Sequence, residues 1–92
     1  MKKKTTAPQW QEDVLTEEEV LNNLILYNDD VNSFDWVIDT LIEVCKHEPY
    51  QAEQCAFIVH YNGKCSIKVA PYSVLEPLCI ELLNRGLSAK VE

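Results

Sequence analysis

The chain reads as an α+β domain, a small open three-stranded antiparallel sheet covered by three helices in the order βααβαβ. Three observations predict it. Residues 24–27, 64–69 and 87–91 are short segments of strand character, either continuously apolar or alternating. Residues 34–47, 49–62 and 73–85 are longer, with apolar residues at helical spacing. Gly, Pro, Asn, Asp or Ser stands at nearly every junction between them. One sheet with helices packed against it is the economical way to bury that set of faces.

Each element has its own signal. Residues 1–22 form a flexible N-terminal extension, with Lys2, Lys3 and Lys4 first and an acidic run over Glu12, Asp13, Glu17, Glu18 and Glu19. They offer too few apolar groups to offset the entropy of ordering. Trp10 is the exception, and residues 17–23 could form only a marginal helix on their own. The domain spans residues 23–92. Its first strand, 24–27, stops at Asn28, Asp29 and Asp30, and Asn32 and Ser33 offer N-caps for the first helix. That helix places Phe34, Val37, Ile38, Leu41, Ile42 and Cys45 on one stripe, and Trp36 falls among its polar positions without an explanation.

Pro49 opens the second helix and Gly63 closes it. Ala52, Cys55, Ala56 and Val59 make a stripe of small residues, with His60 on its flank. Tyr50, Phe57 and Tyr61 form a second ridge on the far side, so this helix is either sandwiched or lends a face to a partner. Residues 64–69 alternate, with Cys65, Ile67 and Val69 inward. Ser73-x-x-Glu76 is a capping-box pattern for the third helix, in which Pro77 fits only near the first turn. Gly86 ends that helix, and Leu87, Ala89 and Val91 alternate as a last strand.

Composition narrows the function. Ninety-two residues make one small domain, and 47% apolar content permits a compact core. A net charge of −7 argues against nucleic acid and against an anionic membrane surface. No apolar run approaches the ~20 residues that cross a bilayer. Cys45, Cys55, Cys65 and Cys79 form no C-x-x-C pair and follow no secretory signal. They read as small core residues of a soluble cytoplasmic protein.

Catalysis and metals find little support. Cys45-x-His47 is the one close ligand pair, too little for zinc. Asp30-x-Asn32-x-Phe34 begins like a calcium loop but lacks its later ligands. No phosphate-cradling glycine loop exists, and no Ser or Cys has a base nearby in sequence. No cofactor is expected. What remains is the corner after the first strand, where an amide and two carboxylates stand beside an apolar helix face. Either it is an acidic capped loop, or it takes a ligand with a positive head and an apolar body.

The segments LYNDDVNSFDWVIDTL, QAEQ…VHYNGK and SAKVE resemble the ClpS family over residues 24–92. The resemblance implies a non-enzymatic adaptor that delivers N-degron substrates to a Clp-family AAA+ unfoldase, ClpA-like or ClpC-like. It implies that Asn28, Asp29 and His60, with Asp30 close by, bind the free α-amino group of a substrate. It also implies that Asn32, Phe34, Val37, Ala56, Val59 and Leu87 line a pocket for a bulky first side chain (Leu, Phe, Tyr or Trp), while the N-terminal extension engages the unfoldase. The chain departs from the family pattern at Phe34 and Ala56, where methionines are common. It departs again in a shorter third helix, where Ser73 and Leu78 replace an acid and a base. Two alternatives stay open: a domain of similar fold that binds an internal peptide or protein surface and ignores free amino termini, and a small carboxylate hydrolase.

Overall fold

The computed structural model describes residues 20–92. The elements are β1 (Leu21–Tyr27), α1 (Phe34–Cys45), α2 (Pro49–Asn62), β2 (Lys64–Pro71), α3 (Tyr72–Asn84) and β3 (Ser88–Val91). β1 is the central strand, antiparallel to β2 on one side and to β3 on the other. This is the expected open sheet and the expected order.

β1 starts three residues before the expected Leu24, because Leu21, Asn22 and Asn23 pair with Pro71, Ala70 and Val69. The same pairing carries β2 two residues beyond Val69, and it makes residues 21–23 strand, where the sequence suggested a marginal helix over 17–23. Residues 17–19 of that segment, with Trp10 and the rest of the N-terminal extension up to residue 19, lie outside the described residues. Register shifts between Leu24, opposite Lys68, and Ile25, opposite Ser66, which leaves Ile67 as the extra residue of a bulge. The bulge breaks the alternation expected for β2. Cys65 and Ile67 still face the core, but Val69 turns outward, 57% exposed, and Ala70 packs inward in its place.

α1 is two residues shorter than expected. Lys46 adopts a left-handed conformation (φ 60°) and its N–H bonds back to the Leu41 carbonyl, which closes the helix at Cys45. His47 then turns into the core, and its ring Nε2–H donates to the Ile67 carbonyl at 2.8 Å. α2 has the expected bounds, with Pro49 in its first turn and Gly63 left-handed at φ 92° after its end. The Ser73-x-x-Glu76 capping box does not form. Pro71 occupies the N-cap, Ser73 lies inside the first turn, and Glu76 instead accepts a bond from the Tyr72 hydroxyl. Pro77 therefore sits in the second turn rather than the first.

The core joins Leu24 and Leu26 of β1 to Leu41 and Val44 of α1, Val59 of α2, Ile67 of β2, Leu75 and Leu82 of α3, and Leu87. All four cysteines are free; Cys45, Cys55 and Cys79 are buried and Cys65 partly so. Burial pushes the Cys45 thiol up to about 11, which suits a core residue rather than a nucleophile. Trp36 gains an explanation: its indole N–H donates to the Arg85 carbonyl at 3.1 Å. The Arg85 guanidinium in turn reaches Glu43 and Glu81, so α1 is tied to the end of α3. No described helix is long and apolar enough to cross a membrane.

Candidate functional site

The corner between β1 and α1 is built by short polar bonds. The Asn28 N–H donates to the Gly63 carbonyl at 2.9 Å, which anchors the end of β1 to the end of α2. Asp29 Oδ1 then accepts from the backbone N–H groups of Val31 and Asn32, each at 2.9 Å. An aspartate caps its own turn this way. The Asn32 amide nitrogen reaches both Asp29 oxygens, at 3.1 and 2.9 Å, and also the Gly86 carbonyl at 2.8 Å. Of the two candidate caps for α1, Ser33 takes the role, its Oγ accepting from the Trp36 N–H at 3.0 Å.

Burial by itself raises the Asp29 carboxyl. The bonds from the Asn32 and Val31 amides, with further help from the Asn32 and Ser88 side chains, outweigh it and hold the group below the usual carboxylate range. Asp29 is thus a fixed anion. Asp30 beside it is exposed, and no side-chain bond holds it among the described residues.

This corner opens onto a cleft of about 650 Å³ between the β1–α1 loop and α2. Asn28, Asp29, Asp30, Asn32, Phe34 and Val37 line one side and Ala56, Val59 and His60 the other. The structure therefore brings the amino-group candidates and most of the apolar candidates to a single cavity. Leu87 is the partial exception: only 4% exposed, it lies behind the main cleft in a small adjoining recess that Val37, Val59 and Asn32 share.

Two lining residues were not expected at the site, Phe57 and Tyr61. Both belong to the ridge assigned to the far side of α2. Phe57 instead meets Phe34 across the cleft, ring centroids 4.9 Å apart at 63°. Tyr61 sits edge-on to His60 at 4.7 Å, and His60 in turn lies 6.5 Å from Phe34. Nothing sandwiches this side of α2 among the described elements: Tyr50, Phe57 and Tyr61 are exposed. No Lys or Arg lines the cleft. Among the described residues no group of three His, Cys, Asp or Glu could hold a metal ion. The result is a cavity that combines acceptors with apolar walls, suited to a ligand that pairs a cation with an apolar side chain.

Comparison with known proteins gives a consistent picture. Residues 17–90 match the family described as ATP-dependent Clp protease adaptor protein ClpS. The ATP-dependent Clp protease adapter protein ClpS of Nitratidesulfovibrio vulgaris is 30% identical over 74 residues, 76% of this chain and 71% of its own length. The protein of the same name from Clostridium acetobutylicum is 36% identical over 58 residues, 63% of this chain and 57% of its own. The structure of Agrobacterium tumefaciens ClpS2 bound to L-phenylalaninamide shares the fold, with a TM-score of 0.75 at 20% identity, covering 78% of this chain and 94% of that one. The chain belongs to the ClpS family of Clp protease adaptors.

Proposed function

We propose that this adaptor reads the first residue of its substrates. Asn28, Asp29 and His60, with Asp30 alongside, hold the free α-amino group, and the cleft takes a bulky hydrophobic side chain (Leu, Phe, Tyr or Trp). The bound protein is then handed, without any chemical step by the adaptor, to a Clp-family AAA+ unfoldase, ClpA-like or ClpC-like, in the cytoplasm. The carrying observation is that three acceptors of different kinds share the lining of one cleft with apolar side chains and with no basic residue.

The chemistry follows from donor and acceptor counts. An ammonium presents three donors. The Asn28 amide oxygen, the Asp29 carboxylate and the lone pair of a neutral His60 ring can accept one each. Asp29 Oδ2 accepts a bond from Asn32, and the charge on both partners strengthens the bond that the carboxylate makes to an ammonium. The first side chain then lies against Val37, Ala56 and Val59, with Phe34 at the rim and Leu87 behind. The ligand of the Agrobacterium relative, L-phenylalaninamide, joins a free amino group to an aromatic side chain, which supports the same reading here.

Calorimetric titration with peptides that begin with Leu, Phe, Tyr or Trp, each with and without an acetylated amino group, tests it. The free peptides bind, and acetylation abolishes binding. Equal affinity for both forms would point to a surface that ignores amino termini.

A further inference from the structure

Two side chains at the entry to α1 donate to consecutive carbonyls of the α3–β3 turn. The Asn32 amide nitrogen reaches the Gly86 carbonyl at 2.8 Å, and the Trp36 indole N–H reaches the Arg85 carbonyl at 3.1 Å. The turn itself is well fastened. The N–H groups of Arg85, Gly86 and Leu87 bond back to the last carbonyls of α3 at 3.0 to 3.1 Å, with Gly86 left-handed at φ 90°. The Arg85 guanidinium adds bonds to Glu81 of α3 and Glu43 of α1.

Asn32 uses the same amide group on Asp29. The backbone N–H groups of Val31 and Asn32 hold Asp29 Oδ1, and bonds to that oxygen alone would leave the carboxylate free to swing about it. The Asn32 amide also reaches Oδ2, at 2.9 Å, which fixes the plane of the group. A primary amide carries two N–H donors, and here one meets the carboxylate while the other meets the turn. We infer that Asn32 and Trp36 are positioning residues for the amino-group site: they seat the β1–α1 corner on the α3–β3 turn and so hold the Asp29 carboxylate ready for the ligand's ammonium. Trp36 does this from outside the cleft lining.

An acceptor that is fixed before the ligand arrives loses little freedom on binding. The same bonds favour the ionised carboxylate. Burial raises the Asp29 carboxyl, and the bonds it accepts, the Asn32 side chain's among them, outweigh that and keep it below the usual range. Removing the Asn32 amide therefore lets the carboxyl climb back toward its ordinary value. No cation stands ready to replace it. The titratable groups around Asp29 are Asp30 in the loop and His60 across the cleft, and the Arg85 guanidinium is turned to Glu43 and Glu81.

The inference rests on the proposed reading of free amino termini, and one experiment separates the two. NMR titration of the full chain compares L-phenylalaninamide with 3-phenylpropanamide, the same molecule without its amino group. The unaltered protein should prefer the amine. Asn32→Ala should weaken the amine about fivefold, the worth of one hydrogen bond, and leave 3-phenylpropanamide within about twofold. Asn32→Ser, with one donor in place of two, should fall between the alanine variant and the unaltered protein. Trp36→Phe keeps a ring, removes the indole N–H and should weaken the amine about twofold. The Asp29 carboxyl carbon, followed in the same spectra, should titrate at higher pH in Asn32→Ala, a change that a merely structural role would not produce. An undiminished preference for the amine in Asn32→Ala and Asn32→Ser, an equal loss for both ligands, or an unmoved Asp29 titration overturns the inference and leaves the amino-terminal reading standing. Unchanged amine affinity in Trp36→Phe overturns the part given to Trp36. Equal binding of the two ligands by the unaltered protein overturns that reading and the inference with it.

Discussion

The two ends of the cleft are built differently. At the β1–α1 corner, Asp29 is gripped by two backbone amides and by Asn32, which is itself tied to Gly86. At the mouth, Phe34, Phe57 and Tyr61 hold one another by ring contacts and stay exposed. A group that is the same in every ligand, such as an ammonium, is best met by acceptors that need no reorganisation on binding. A side chain that varies is better met by rings that can shift. The contrast predicts that substitutions at the corner cost affinity for all ligands, while substitutions at the mouth re-order preferences.

The largest effect belongs to the corner. Asp29→Ala should weaken every free peptide by about 1.5–3 kcal/mol, the range for a charged hydrogen bond, against about 1 kcal/mol for Asn28→Ala. Calorimetry on both variants decides it: an equal or smaller loss for Asp29→Ala would place the anchoring charge elsewhere.

The next effect is on pH. A ring that accepts from an ammonium must be neutral, so binding should weaken as pH falls through the window in which an imidazole takes up its proton. Asp29 is held below the ordinary carboxylate range, stays ionised through that window, and contributes no part of the slope. In His60→Gln most of the pH dependence should disappear. Identical profiles for the variant and the unaltered protein would remove His60 from the site.

At the mouth the changes should be selective. Phe34→Ala opens space beside the ligand's β-carbon and should admit Ile and Val, with a loss of up to about 1 kcal/mol for aromatic first residues that lean on the ring. Ala56→Met fills the inner wall and should weaken Trp and Tyr more than Leu. Peptides identical after the first residue check both, and an unchanged order of preference in the two variants would show that these residues do not shape the pocket. The smallest effect on binding is expected from deleting residues 1–19. The deletion leaves β1 whole and the cleft intact, so affinity should hold while delivery to the protease fails. Degradation at the original rate by the shortened chain would dismiss the role given to the extension.

The contrast between the two ends also explains what could be read from the sequence. Asn28, Asp29, Ser33, Pro49 and Gly63 act within a few residues of themselves, as turn, cap or stop, and local rules place them. Lys46 ends α1 against local expectation, because a lysine carries no signature of a left-handed cap. The bulge at Ile67, which turns Val69 outward, depends on the partner strand and so leaves no mark in β2 alone. Pro71 displaced the expected capping box because β2 runs straight into α3. That Phe57 and Tyr61 reach the cleft from the exposed ridge of α2 is hidden for a similar reason. Helical spacing shows which residues share a ridge, whereas the rotation of α2 about its axis is set by Ala52, Cys55 and Val59 packing into the core. A signal was present all the same: Phe57 and Tyr61 each directly follow a residue, Ala56 and His60, that was expected at the site.

In the proposed function a single cleft recognises an ammonium and a bulky side chain together. Calorimetric titration of L-phenylalaninamide against N-acetyl-L-phenylalaninamide tests it with no peptide context. The free amine should bind in the cleft, and its acetylated form about fiftyfold more weakly or not at all, as the loss of the charge-assisted bonds requires. Equal binding of the two compounds would contradict the account.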